Sequence, residues 1–141
     1  AQNHRLRLDD AILIKDNHLA LSGRSLTEAT ERAKATGYFV MVECDTIPQV
    51  EEALAAGAQW LLLDNMSHAE YRQAVALVAG MVPLEASGGV TLSSIRAIAE
   101  TGVDYISAGA ITHSARAVDI GLDAMERNAP RGKNNHVPYL A

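Results

Sequence analysis

Five short apolar runs, rich in β-branched and large aliphatic residues, recur along the chain at intervals of about twenty to thirty residues. They are Ala11-Ile-Leu-Ile-Lys15, Tyr38-Phe-Val-Met-Val-Glu-Cys44, Trp60-Leu-Leu-Leu-Asp64, Val82-Pro-Leu-Glu-Ala-Ser87 and Tyr105-Ile-Ser-Ala108. Runs without polar alternation fit strands buried on both faces. The segments between them have helical spacing and open on a hydroxyl residue with Glu or Gln three positions on: Ser25 with Glu28, Thr46 with Gln49, Ser67 with Glu70. Gly37, Gly57, Gly80 and Gly102 follow those segments, where a helix stops and the chain turns back. The interval equals one βα unit with a right-handed crossover, so the pattern predicts a parallel sheet covered by helices. A sandwich or a bundle does not fit it.

With 141 residues the chain holds one core and five to six such units. Twelve Lys and Arg against seventeen Asp and Glu leave a net charge of −5, which offers no field for a nucleic acid backbone. The single cysteine, Cys44, cannot form a bridge within the chain, and no apolar run approaches a bilayer span. These features predict a cytoplasmic protein with no nucleic-acid or membrane partner. The opening Ala1-Gln-Asn-His-Arg5 without Met reads as the start of a piece. Residues 1–125 read as one α/β unit and residues 126–141, where periodicity gives way to turn formers, as an irregular tail.

Four runs close on residues that a core rejects: Lys15, Glu43, Asp64 and Ser87. In parallel β/α architectures these are the carboxyl ends of the strands, where loops assemble active sites. The last two units carry glycine turns, Ser87-Gly88-Gly89 and Ala108-Gly109-Ala110, the second leading to His113. Each is predicted to open a helix and present bare N–H groups to a phosphate monoester. Lys15 suits a Schiff base or an anion clamp, and His18 suits a base, a metal ligand or a surface residue. Spacings of the His-Glu-x-x-His or Cys-x-x-Cys type are absent. Any metal is therefore a hard cation such as Mg²⁺, held by Glu43, Asp64 and substrate phosphates.

Taken together, Asn3-His-Arg-Leu-Arg-Leu-Asp-Asp10, Leu13-Ile-Lys-Asp-Asn-His18, Val42-Glu-Cys-Asp45, Leu62-Leu-Asp-Asn-Met66, Leu84-Glu-Ala-Ser-Gly-Gly89 and Gly102-Val-Asp-Tyr-Ile-Ser-Ala-Gly-Ala-Ile-Thr-His-Ser114 resemble the catalytic half of quinolinate phosphoribosyltransferases. The resemblance implies an incomplete TIM-like α/β barrel, here with about five strands. It implies transfer from phosphoribosyl pyrophosphate to quinolinate with decarboxylation, in a dimer or larger homo-oligomer. By the same resemblance His4, Arg5 and Lys15 grip the quinolinate carboxylates, and Glu43 and Asp64 face the ribose and Mg²⁺. Ser87, Gly88, Gly89, Ala108, Gly109, Ala110 and His113 receive the phosphate, and His18 is counted with the substrate-binding residues. Lys15, Glu43 and Asp64 form the expected catalytic set.

Two positions depart from the family pattern. Arg7 stands where Gly usually follows the Asn-His-Arg triplet, and Met41 where a first Glu often precedes the catalytic one. The resemblance implies an α/β sandwich domain ahead of the barrel, whose Arg and Lys residues fall before Ala1 in the family's order. Two rival readings follow. One is a phosphate-binding barrel of another chemistry, such as a Schiff-base aldolase using Lys15. The other is a non-catalytic or engineered half-barrel that self-associates, because five strands leave edges that must pair with something.

Overall fold

The structure, a computed structural model, describes residues 10–113. The expectations for His4, Arg5 and Arg7 and for the tail over 126–141 lie outside the described residues. Five strands, β1 (Ala11–Ile14), β2 (Phe39–Cys44), β3 (Trp60–Asp64), β4 (Leu84–Ser87) and β5 (Tyr105–Ile106), form one sheet in the order β1-β2-β3-β4-β5. Every neighbouring pair is parallel. Between them run α1 (Asp16–Ser22), α2 (Leu26–Lys34), α3 (Ile47–Ala56), α4 (His68–Val78) and α5 (Ile95–Ala99), and α6 (Ala110–His113) follows β5. The predicted α/β class, parallel pairing and strand number agree with this architecture.

The punctuation read from the sequence is visible as hydrogen bonds. Ser25 Oγ accepts from the Glu28 N–H at 3.2 Å, and the Glu28 carboxylate accepts from the Ser25 N–H at 3.1 Å. Ser67 and Glu70 make the same reciprocal pair at 3.3 and 2.7 Å, and these bonds hold the Glu70 carboxyl below its ordinary pKa. At α3 the Gln49 side chain accepts from the N–H groups of both Asp45 and Thr46, at 2.8 and 3.0 Å. Donors at these three helix starts are thereby satisfied. The helix α3 ends on Gly57 at φ 84°, where a side chain would be strained. One helix was not foreseen: α1 begins directly after Lys15 and buries none of its residues, so it has no apolar stripe to betray it.

Alternation along the strands divides the sheet into two unlike faces. Val40, Val42, Cys44, Leu61, Leu63, Leu84 and Ala86 join one core cluster with Val50 and Ala53 of α3 and Tyr71, Ala74 and Val78 of α4. Each fully buried aliphatic side chain there contributes roughly 1.5–3 kcal/mol. The alternate residues face the other way, and that face is itself graded. Toward the strand starts it is aromatic: Phe39 meets Trp60 edge-on at 6.5 Å and Trp60 overlies Tyr105 at 4.6 Å. Toward the strand ends it is polar, with Glu43, Asp64, Glu85 and Ser87. The runs are continuous because both faces are apolar over half their length. They are not fully buried on both, since Phe39 and Tyr105 remain 40% and 39% exposed.

Among the described residues no helix is long and apolar enough to cross a membrane. The sheet is bounded by β1 and β5, which pair with no further described strand. Cys44 points into the core with no exposed surface, and burial together with Asp45 and Glu43 pushes its thiol up to about 12. Its thiolate population at neutral pH is therefore negligible. Iodoacetamide at pH 8 is expected to leave Cys44 unmodified in the folded chain and to label it in denaturing urea. Labelling at equal rates in both conditions, followed by mass spectrometry, would show that the packing around β2 is wrong.

Candidate active site

Pairing in register sets the polar strand ends side by side. Ile14 lies opposite Val42, Glu43 opposite Leu62, and Asp64 opposite Ser87. Lys15, one step past Ile14, thus reaches Glu43, and its Nζ stands 2.7 Å from Oε2. The acid is the deeper partner, with 10% of its side chain exposed against 45% for the lysine. The hydrogen bond to Glu43 raises the Lys15 pKa above its ordinary value, with further help from the charges of Glu43, Asp64 and Asp16 against a smaller desolvation effect. A lysine held protonated clamps anions and is a poor amine nucleophile, which weighs against the aldolase reading.

His18 occupies the third position of α1, and its Nδ1 accepts from the Lys15 N–H at 3.0 Å. The ring fixes the backbone of Lys15, and only Nε2 is left for any substrate.

Asp64 closes β3, and one of its oxygens, Oδ2, accepts from Asn65 Nδ2 at 2.6 Å. Gly88 lies against the same asparagine at φ 85°. A Cβ on Gly88 would stand 2.5 Å from Asn65 Cγ and 2.8 Å from the Asn65 backbone nitrogen, so the turn requires glycine on both counts. Gly89, at φ 57°, is roomier: its Cβ would lie 4.0 Å from the nearest Asn65 atom.

The two glycine turns differ from what the sequence suggested. The first does not open a helix directly: Val90 tucks into the core, and Thr91 and Ser94 bind each other's backbone N–H groups before α5 begins. The second does lead straight into α6, where Ile111 N–H donates to Ala108 at 3.2 Å and Thr112 N–H to Gly109 at 2.9 Å. Gly109 has no positive φ, so conformation does not demand a glycine there. His113 closes α6.

A third acid on this face escaped the sequence reading. Glu85 is 3% exposed, takes a 2.9 Å hydrogen bond from Trp60 Nε1 on one oxygen and another from the Ser107 hydroxyl on the other. It sits within a run rather than at its end, so no polar strand end marks it. Its parity with Ser87, two residues on, places it on the polar face. Among the described residues no group of three or more His, Cys, Asp or Glu side chains is placed to hold a metal ion.

Two expectations follow. Gly88→Ala should cost roughly 2–4 kcal/mol in urea unfolding through strain and overlap, and Gly89→Ala about 1 kcal/mol. Equal losses would show that Asn65 does not crowd Gly88. The second concerns pH. Since the Lys15 pKa is raised on folding, the pair's contribution is fully present below the unfolded lysine value near 10.4 and is lost as pH rises through the folded value. The stability gap between wild type and Lys15→Met, about 1 kcal/mol for a half-exposed pair, should be flat from pH 6 to about 9.5 and close only as pH rises past the unfolded lysine value through the raised folded one. A gap that closes near neutrality would contradict the assignment.

Comparison with known proteins places this geometry. Residues 1–123 match the family described as Quinolinate phosphoribosyl transferase, C-terminal domain. The chain is 44% identical over 126 residues to the carboxylating nicotinate-nucleotide pyrophosphorylase of Mycobacterium leprae, covering 86% of this chain and 44% of that one. The solved nicotinate-nucleotide pyrophosphorylase of Francisella tularensis superposes with a TM-score of 0.76 at 43% identity, over 83% of this chain and 42% of that one. The corresponding protein of Ehrlichia chaffeensis gives 0.75 at 48% identity, over 85% and 44%. The chain thus spans less than half the length of these relatives. It belongs to the quinolinate phosphoribosyltransferase family and corresponds to the C-terminal, barrel-like domain of that family.

Proposed function

We propose that the protein transfers the phosphoribosyl group of phosphoribosyl pyrophosphate to the ring nitrogen of quinolinate. The products are nicotinate mononucleotide, CO₂ and pyrophosphate, as a step of NAD biosynthesis. One observation carries the reading: the Lys15–Glu43 pair, Asp64 and the Ser87-Gly88-Gly89 turn lie on the same rim of one parallel sheet. An anion clamp, fixed carboxylates and a bare-backbone turn are the three parts that a phosphorylated sugar and an acidic acceptor require. The names of the relatives support the same reading, which is made for the whole protein of which such a domain is part.

The bond from the quinolinate nitrogen to C1 of the ribose forms as the bond from C1 to pyrophosphate breaks. Positive charge develops on the sugar, and the carboxylates of Glu43 and Asp64, each held by its neighbour, stabilise it without reorganising. Lys15, with His4 and Arg5, supplies the cations that two ring carboxylates call for. Once the ring nitrogen is positive, the adjacent carboxylate leaves as CO₂, and the electron pair left on the ring carbon takes a proton. Ser87, Gly88, Gly89, Ala108, Gly109, Ala110 and His113 are proposed to receive the sugar phosphate, with His18 Nε2 facing substrate.

Oxygen donors such as Glu43 and Asp64 suit a hard ion that keeps most of its ligands as water and phosphate oxygens. Glu43 and Asp64 are the residues that would hold Mg²⁺, which when bound neutralises the departing pyrophosphate. A homo-oligomer, a dimer or larger, belongs to the same proposal and is supported by the two sheet edges that no described strand covers. A cytoplasmic setting is supported by the free thiol of Cys44.

Steady-state kinetics with quinolinate, phosphoribosyl pyrophosphate and Mg²⁺ test the proposal. Asp64→Asn keeps the size and one acceptor but removes the charge, so kcat should fall roughly 10²–10³-fold with quinolinate KM little changed. Arg5→Ala should instead weaken quinolinate capture by about 2–5 kcal/mol. No nicotinate mononucleotide from the whole wild-type protein would refute the activity. Full kcat in Asp64→Asn with unchanged KM in Arg5→Ala would refute the roles.

A further inference from the structure

Asn65 stands between the carboxylates and the glycine turn and has no part in the chemistry assigned above. Its backbone is left-handed, φ 52°, a conformation that few residues other than glycine adopt and that asparagine tolerates best. That tolerance explains why the position is not leucine. It does not explain what the side chain and backbone then do. The amide Nδ2 donates to Asp64 Oδ2 at 2.6 Å, which fixes the carboxylate plane and leaves Oδ1 directed away from the contact. The backbone N–H donates to the Ser87 carbonyl at 3.0 Å, and the Tyr71 hydroxyl, from the buried side of α4, donates to the same carbonyl at 3.2 Å. The remainder of the side chain fills the place that a Cβ on Gly88 would take. One residue therefore touches both halves of the rim.

We propose that Asn65 is a positioning residue that locks the Asp64 carboxylate and the Ser87-Gly88-Gly89 turn into a single register. The distance between the carboxylate that stabilises C1 and the turn that receives the sugar phosphate is then set by protein contacts before substrate arrives. Such preorganisation is what transition-state stabilisation demands of a fixed carboxylate. The proposal rests on the phosphoribosyl-transfer reading and sharpens it.

Two variants in the whole protein separate positioning from mere backbone accommodation. Asn65→Gly accepts the left-handed conformation and deletes the side chain. Asn65→Asp keeps both the shape and the tolerance of that conformation but replaces the donor with a second carboxylate beside Asp64. Both are expected to lower kcat at least tenfold with quinolinate KM within twofold of wild type, and with thermal midpoints unchanged within a few degrees. In the Asn65→Gly variant of the isolated chain, ¹⁵N relaxation is expected to show falling order parameters at Gly88 and Gly89, a readout that needs no turnover. Wild-type kcat in Asn65→Asp would overturn the proposal, because shape alone would then suffice. Undiminished order at Gly88 and Gly89 in Asn65→Gly would overturn it as well. If the wild-type protein has no turnover, the functional reading fails and the relaxation result alone decides whether Asn65 holds the turn.

Discussion

In a β-sheet a slip of one residue in register carries every side chain of a strand to the opposite face. The rim of this chain depends on β1 to β4 holding one continuous parallel register, in which Lys15 meets Glu43 and Asp64 meets Ser87. That register is enforced from below. Val40, Val42, Leu61, Leu63, Leu84 and Ala86 are at most 3% exposed beneath the helices, so a slip would exchange an aliphatic side chain for Glu43, Asp64 or Glu85 in the core. Burying an unpaired carboxylate costs far more than burying a methylene returns. The helical side of the sheet thus decides the position of acids on the other side.

The acids on that face are each committed differently. Glu43 is matched by Lys15, whose pKa the hydrogen bond between them raises. Asp64 gives one oxygen to Asn65. Glu85 lies deeper and is bound by Trp60 and Ser107, joining the aromatic floor of Phe39, Trp60 and Tyr105 to the polar rim. Carboxylates crowded on one face repel one another unless each has its own donor. Separate donors let them coexist close to the place where positive charge would develop on a sugar.

Much of this was legible in the sequence because local rules and the global fold agree. Capping residues at Ser25, Thr46 and Ser67 and a glycine stop at Gly57 bracket helices where periodicity alone leaves boundaries loose. The polar residues after Ile14, Val42, Leu63 and Ala86 marked the rim, because a parallel sheet gathers all strand ends on one side. What was not legible depends on contacts between distant segments. Helix α1 has no buried residue, so no periodicity announced it, and the bond from the Lys15 N–H to His18 within its first turn was not legible either. The parts played by Asn65 and Glu85 arise from neighbours on adjacent strands, Gly88 for one and Trp60 and Ser107 for the other. Nor could the pattern separate the two glycine turns, of which only the first has left-handed backbone.

The central claim is that the carboxylate end and the glycine turns form one site for one ligand. The most direct measurement is an NMR titration of the ¹⁵N- and ¹³C-labelled chain with phosphoribosyl pyrophosphate and Mg²⁺. The account predicts that the backbone amides of Gly88, Gly89 and Gly109 and the side-chain carboxyl carbons of Glu43 and Asp64 shift together along a single binding isotherm, and that inorganic phosphate competes at the glycines alone. Separate isotherms for glycines and carboxylates, or shifts confined to residues away from this rim, would contradict it.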